Sequence, residues 1–159
     1  MNREIEFRGK RLDNSEWLYG NLMHDNQGGY YIYPLDAENL YVENKVDPDT
    51  VGQFTGLVDK NGVKIFEGDI VKRSSVGSDS IMYYYCGVVL FDNNDASFKL
   101  RMFEQVFDGR DIGLCEDVDD IECDFVVKTI YDGQTPQEDE YLYEVIGNIH
   151  DNPELLASK

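Results

Sequence analysis

The chain has 159 residues, 42% of them hydrophobic, so it can bury the core of one ordinary domain or of two small ones. Its 32 Asp and Glu outnumber its 14 Lys and Arg, which gives a formal net charge of −18. This charge argues against direct binding to a nucleic-acid backbone, because such binding needs a basic surface. With four Pro and no low-complexity tract, the sequence also argues against a mainly disordered chain.

Residues 1–46 are predicted to form an N-terminal β-meander. Apolar residues alternate with charged ones around Phe7, which is typical of a half-buried strand. Trp17 and Tyr19 share one face of a second strand, and residues 30–34 read as a third. We expect this meander to pack against the rest of the molecule.

Residues 47–73 are predicted to begin with a short helical turn at Pro48 and to continue as strands joined by tight turns. We expect these strands, with one over 141–149, to make an SH3-like barrel or a curled antiparallel sheet. The turn positions are Asn61, Gly62, Gly68 and Asp69, since Asn-Gly favours hairpins and Asp fixes turns through its backbone contacts. Glu67 and Asp69 could alternatively form a carboxylate pair that faces a substrate.

The middle of the chain, residues 74–137, is acidic and variable in character. A continuous apolar run over 81–91 predicts either a strand that is buried on both sides or one that bends at Gly87, and alternation around Leu100 predicts another strand. A further strand is expected over 125–131, and a helical turn is expected to follow Asn152. No stretch shows the periodicity of an amphipathic helix, so the fold class is mainly β.

Four blocks of sequence carry a resemblance to a known family. Residues 49–72 contain Gln53-Phe54-Thr55-Gly56-Leu57, and residues 143–156 begin with Tyr143-Glu144-Val145-Ile146-Gly147-Asn148. The other two blocks are Ile5-Glu6-Phe7-Arg8 and Trp17-Leu18-Tyr19-Gly20. Together they resemble the YopX family of phage and prophage proteins, with residues 47–73 and 138–156 as barrel-forming motifs of a single domain over 1–159. The resemblance implies a phage or prophage accessory protein acting inside a bacterial host, and no established activity.

No arrangement of residues predicts catalysis, a metal site or a cofactor. The acidic run at 116–122 does not fit a calcium-binding EF-hand loop. Such a loop needs a glycine at its sixth position, which is Glu122 if the loop starts at Asp117. Cys115 and Cys123 are too far apart in sequence for a paired zinc motif, and Cys86 is more distant still. We expect three reduced thiols, no bound metal, no cofactor and no intrinsic enzymatic activity.

We expect a cytoplasmic protein that does not enter a membrane. The first twenty residues carry charge throughout, so a signal peptide is not expected. The longest apolar run, over 81–91, is shorter than the ~20 residues that a membrane-spanning helix needs.

The chain contains eleven Tyr and eight Phe, and aromatic residues are enriched at the cores of protein interfaces. The candidate interaction residues are Tyr30, Tyr31, Tyr33, Tyr83, Tyr84 and Tyr85. We therefore expect a protein-interaction or assembly module whose partner is a second copy (a homo-oligomer) or a host or phage protein. One alternative is an acidic mimic of nucleic acid that inhibits a host DNA-binding protein. A second alternative is a hydrolase that uses carboxylates.

Overall fold

The computed structural model describes residues 4–34, 44–76, 82–94, 96–107, 110–111, 122–124 and 142–156. This part of the chain is mainly β, as the sequence predicts. It contains 3₁₀ helices at Pro48–Thr50 and Pro153–Leu156. Its strands, in chain order, are β1 (Phe7–Lys10), β2 (Trp17–His24), β3 (Tyr30–Tyr33), β4 (Lys45–Val46), β5 (Gly52–Val58), β6 (Lys64–Phe66), β7 (Asp69–Val76), β8 (Met82–Asp92), β9 (Ser97–Phe107), β10 (Arg110–Asp111), β11 (Glu122–Asp124) and β12 (Leu142–Asn148).

The chain forms two compact units, residues 1–56 and 57–159. In the first unit, antiparallel strands are ordered β4-β3-β2-β1-β5. The N-terminal meander is therefore confirmed: β1 pairs with β2 and β2 with β3, and β5 adds to the free side of β1. Among the helices described, none is long and apolar enough to cross a membrane.

Gly20 allows β2 and β3 to approach each other closely. A side chain at this position would overlap the carbonyl oxygen of Tyr33, and the backbone of Gly20 has a φ of +154°. Residues other than glycine rarely adopt such a conformation. The close approach therefore depends on the absence of a Cβ atom.

The first 3₁₀ helix is fixed by its own cap and by β1. The carboxylate of Asp47 accepts a hydrogen bond from the backbone of Asp49 at 3.1 Å, and Pro48 occupies the first turn, as predicted. The hydroxyl of Thr50 accepts a hydrogen bond from the backbone N–H of Lys10 at 2.8 Å. These contacts connect the helix to the sheet of the first unit.

In the second unit, a sheet has the order β10-β9-β8-β7-β12, with β11 also paired to β9. Irregularities interrupt the register between Cys86 and Gly87 and between Val145 and Gly147. The first of these favours the bent strand over the regular one, since the register changes at Gly87. Among the residues described in this unit, one buried hydrophobic cluster contains Ile65, Val71, Val89, Leu100 and Tyr143.

The structure favours the curled antiparallel sheet over the closed barrel. The expectation that residues 50–72 lie in a single sheet is wrong, because β5 pairs with β6 whereas β7 pairs with β8 and β12. The chain passes from one sheet to the other at the turn containing Gly68, whose N–H donates to the carbonyl of Val89 on β8. The strand expected over 125–131 lies outside the described residues.

Candidate interaction face

One face of the sheet in the first unit combines aromatic and cationic side chains. In the β1–β2 register, Arg8 lies opposite Tyr19 and Lys10 lies opposite Trp17. Side chains directly opposite each other in a sheet point to the same face. Accordingly, the guanidinium of Arg8 lies 4.7 Å from the centroid of the Trp17 ring, and the ammonium of Lys10 lies 5.4 Å from it. These are cation–π distances.

The same face continues across β2, β3 and β4. Asn21 lies opposite Tyr33, Met23 lies opposite Tyr31, and Tyr31 lies opposite Lys45. Because alternate residues of a strand share a face, β2 contributes four residues that begin with Trp17. We call this surface the aromatic face, and it comprises Arg8, Lys10, Trp17, Tyr19, Asn21, Met23, Tyr31, Tyr33 and Lys45.

The aromatic face is exposed from Tyr19 to Met23, whereas Arg8 on the same face is buried. Tyr19 is 45% exposed and Met23 is 53% exposed, whereas Ile32 and Val46 on the opposite face are buried. Met23 is therefore an exposed apolar side chain that lies beside tyrosines rather than alone. Clusters of this kind mark interaction sites more often than isolated apolar residues do.

Asp25 fixes Tyr31 at the edge of the aromatic face. One carboxylate oxygen accepts hydrogen bonds from the backbone N–H groups of Gly29 and Gln27, at 2.6 and 2.8 Å, and the other accepts from the Tyr31 hydroxyl at 2.9 Å. The hydrogen bond from Gly29, followed by that from Tyr31, lowers the pKa of Asp25. The same bond to Asp25 raises the pKa of Tyr31, so this phenol stays protonated and oriented.

The structure divides the six candidate tyrosines. Tyr31 and Tyr33 lie on the aromatic face, but Tyr30 alternates to the opposite face. There its ring centroid lies 3.9 Å from that of His24 in an edge-to-face arrangement. The other three, Tyr83, Tyr84 and Tyr85, lie on β8 in the second unit, where Tyr85 is half-buried opposite Arg73.

Sequence reasoning placed Trp17 and Tyr19 on one face of a strand but did not join them to the tyrosines of β3. Met23 was missed. The signal was present in the period-two alternation of residues 17–23, since Met23 is in phase with Trp17 and Tyr19. What the sequence did not supply was the β2–β3 register, which places Met23 opposite Tyr31.

A separate polar cluster in the second unit surrounds the buried carboxylate of Asp59. One oxygen accepts hydrogen bonds from the backbone N–H groups of Asn61 and Val63, at 2.7 and 2.9 Å. The other accepts from the backbone of Val145 on β12 at 3.1 Å. Burial by itself would raise the pKa of Asp59, but these hydrogen bonds outweigh it, so the pKa is lowered.

The hairpin at Asn61 and Gly62 forms with a different turn from the one that its sequence suggests. Of these two residues only Gly62 has a positive φ, of +82°, and its N–H donates to the Asp59 carbonyl at 2.9 Å. Such a turn is typical of three-residue hairpin loops, with Asp favoured at the first position. The role of Asp59 was not predicted, although an Asp two residues before Asn-Gly is a usable signal.

Asp69 acts in the next turn. It is almost fully buried, and its carboxylate accepts a hydrogen bond from the backbone N–H of Phe66 at 2.8 Å. Gly68 lies between Asp69 and the half-buried Glu67. These contacts match the turn-fixing interpretation of Asp69.

The residues considered for metal or thiol chemistry are only partly described. Cys86 is a buried free thiol on β8. Within the described ranges, no group of three or more His, Cys, Asp or Glu side chains is placed to hold a metal ion. Cys115 and most of the acidic run at 116–122 lie outside those ranges.

Comparison with known proteins agrees with the resemblance carried by the sequence blocks. No curated protein matches the chain. The family described as YopX protein matches residues 6–157, which is nearly the whole chain and includes both the aromatic face and the Asp59 cluster. The chain therefore belongs to the YopX protein family.

Proposed function

We propose that this protein is a non-enzymatic protein-interaction module, an accessory protein of a phage or prophage that acts in the cytoplasm of the bacterial host. The observation that carries the proposal is the aromatic face, on which Tyr19 and Met23 are exposed beside Tyr31 and Tyr33. Aromatic residues and Met are enriched at protein interfaces, whereas Asp and Glu are depleted there. The aromatic face is rich in aromatic residues and contains no Asp or Glu, so it is the surface of this acidic chain that best fits a protein interface.

The buried carboxylates of the second unit support a non-enzymatic role. Asp59 and Asp69 accept hydrogen bonds from backbone N–H groups within the turns that they stabilise. A catalytic carboxylate has to reach a substrate and exchange a proton with it. The hydrolase alternative would therefore need other carboxylates than these two.

The distribution of charge favours one second candidate, the acidic mimic of nucleic acid. The second unit contains 22 Asp and Glu and nine Lys and Arg, a net charge of −13, whereas the first contains ten and five, a net charge of −5. A mimic would use this unit to occupy the basic groove of a host DNA-binding protein. The two candidates thus place the binding surface in different units.

Affinity capture from host lysate tests the proposal. The bait is the wild-type protein, the double variant Tyr19→Ser/Met23→Ser, or a control with two equally exposed apolar residues replaced in the second unit, Val58→Ser/Val63→Ser. We expect a host or phage protein that binds the wild type and the control but not the Tyr19→Ser/Met23→Ser variant.

The same experiment separates the candidates. A DNA-binding protein that all three baits retain, and that moderate salt releases, would support the mimic, because salt screens exposed charge pairs. Recovery of no partner by any bait would contradict both candidates, unless the partner is the protein itself.

A further inference from the structure

The aromatic face has cations at both ends of its exposed centre. Lys10 lies beside Trp17 at the start of β2, and the exposed Lys45 lies opposite Tyr31 near its end. Between them lie the uncharged side chains of Tyr19, Asn21 and Met23. The chemistry that fits such a surface is apolar at its centre and acidic around it.

The second unit of the same chain carries a surface of that composition. At the second 3₁₀ helix, Leu155 is 37% exposed and Leu156 is 38% exposed. Asp151 and Glu154 are exposed beside them. We call these four residues the C-terminal patch.

Hydrogen bonds and packing hold the C-terminal patch in place. The side-chain oxygen of Asn148 accepts from the backbone of Asp151 at 2.9 Å, and the backbone of Leu155 donates to Asn152 at 3.0 Å. Leu155 and Asn152 also lie against Gly147, where an added Cβ would meet both. A patch that is already ordered loses little conformational entropy on binding.

We propose that the C-terminal patch of one copy docks on the aromatic face of a second copy, so that the chain assembles head to tail. This inference rests on the proposed function and names the partner of its binding face. Leu156 would pack against Tyr19 and Met23, and the patch carboxylates would lie near Lys10 and Lys45. Because the two surfaces in contact are different, every linear oligomer keeps one unoccupied aromatic face and one unoccupied C-terminal patch. Further copies can therefore add until the oligomer closes into a ring.

Charge favours a second copy over a single-stranded nucleic acid as the occupant. Aromatic residues and cations on a sheet can bind either one. A net charge of −18 repels both occupants, but a single strand carries a negative charge on every nucleotide, whereas the C-terminal patch of a second copy presents two carboxylates together with exposed leucines.

Two variants, each lacking one of the surfaces, test the inference in sedimentation velocity experiments. Tyr19→Ser/Met23→Ser removes the centre of the aromatic face. Glu154→Lys/Leu156→Ser alters the C-terminal patch and keeps Leu155, which packs on Gly147. We expect the wild type and Val58→Ser/Val63→Ser to assemble at micromolar concentration, and each surface variant alone to assemble at least about tenfold more weakly.

The mixture of the two surface variants is the decisive sample. One retains an intact patch and the other an intact face, so a 1:1 mixture should form a heterodimer and nothing larger. A mixture that stays monomeric overturns the inference. So does a patch variant that assembles as the wild type does, because the aromatic faces would then pair with each other. Circular dichroism and thermal unfolding show whether each variant is folded.

Two further outcomes have fixed meanings. A wild type that is monomeric at roughly 100 μM overturns head-to-tail assembly. In that case, lysate capture that still depends on Tyr19 and Met23 would support the proposed function without head-to-tail assembly. Lysate capture that does not depend on these two residues would contradict both the proposed function and the assembly. Quenching of Trp17 fluorescence by a labelled oligothymidine, abolished by Tyr19→Ser/Met23→Ser, would identify nucleic acid as the occupant and would also overturn the inference.

Discussion

At the scale of single residues, Asp59 links parts of the chain that are distant in sequence. Its carboxylate holds the β5–β6 turn through Asn61 and Val63, and it holds β12 through Val145. A buried carboxylate is costly unless it is hydrogen-bonded, and here backbone N–H groups supply the bonds. The three partly buried hydrogen bonds to these backbone N–H groups depend on the carboxylate in turn.

We predict that Asp59→Asn destabilises the protein by about 2–3 kcal/mol, because the amide nitrogen of Asn cannot accept from the N–H groups that Asp59 satisfies. Urea unfolding followed by circular dichroism measures this loss. Asp49→Asn, an exposed acid in the first 3₁₀ helix, is the control and should change stability by less than about 0.5 kcal/mol. Equal effects of the two substitutions would contradict the role assigned to Asp59.

The lowered pKa of Asp59 also predicts how stability depends on pH. A carboxyl group whose pKa is lower in the folded state stabilises the protein fully above its unfolded pKa of about 3.9. That contribution is lost as the pH falls through the still lower folded pKa. The stability difference between the wild type and Asp59→Asn should therefore be constant from about pH 6 to 7 and shrink below about pH 4. A difference that grows on acidification would contradict the lowered pKa.

Gly20→Ala should be more damaging than an ordinary glycine substitution. Its Cβ would overlap the carbonyl oxygen of Tyr33, and its backbone φ is unfavourable for alanine. We expect a loss of about 3 kcal/mol or more, or failure to fold, measured by thermal unfolding. Gly28→Ala is the control for φ alone, because its φ is +83° and a Cβ there meets no atom. A similar cost for both substitutions would show that the contact with Tyr33 is unimportant.

At the scale of elements, the hairpin between β5 and β6 protects an edge of the second sheet. The backbone of Lys60 donates to the carbonyl of Tyr143 at 2.9 Å, and Asp59 accepts from the N–H of Val145. Both groups of β12 point away from its partner β7. Unpaired groups on an edge strand invite pairing with another chain. The hairpin therefore limits uncontrolled sheet extension, and it leaves side-chain surfaces as the route for specific association.

The core at the β8–β9 pair should dominate the stability of the second unit. Leu100 is fully buried and packs in the cluster that contains Val71 and Val89. Leu100→Ala should cost about 2–5 kcal/mol, since it removes apolar contacts and leaves a cavity. Chemical denaturation measures the loss, with the exposed Val63→Ala as a control that should cost under about 1 kcal/mol. A small effect of Leu100→Ala would mean that β9 is not part of the cooperative core.

The sequence predicted most elements, together with the pairing of the N-terminal meander and of the β5–β6 hairpin, but not the partners of the later strands. Period-two alternation located β2 and β9, and Gly87 marked the irregularity in β8. Alternation identifies the two faces of a strand but not the strand beside it, so the assignment of β7 to another sheet from β5 was not predicted. The strands β10 and β11, which both pair with β9, were missed because two or three residues are too few to show an alternating pattern.

The candidate site was only partly predictable for the same reason. The run Tyr30-Tyr31-Ile32-Tyr33 was treated as one patch, yet consecutive residues of a strand point to opposite faces. Tyr30 therefore lies with His24, whereas Tyr31 lies with Met23. The aromatic face depends on contacts between strands, and those become visible once the register is known.

At the scale of the whole molecule, the net charge of −18 should oppose folding through self-repulsion. We predict that the melting temperature rises by several degrees between about 20 mM and about 500 mM NaCl, because salt screens this repulsion. The Tyr19→Ser/Met23→Ser variant is the appropriate sample, since self-association would otherwise contribute to the melting temperature. KCl should have the same effect, and a melting temperature that falls with either salt would contradict the prediction.

The register of the second sheet has a consequence for how this family can diversify. Val76 lies opposite Met82, Tyr83 lies opposite Phe107, and Ser74 lies opposite Leu142, so β9 ends and β12 begins at the same end of the sheet. Beyond β9 the chain forms β10 and β11, which both pair with β9, and it returns to this end of the sheet at β12. Closing a longer connection between neighbouring points costs only about 0.6 kcal/mol for each doubling of its length. A change in the length of this connection would therefore cost the scaffold little, which makes this end of the sheet suited to accepting differences between relatives.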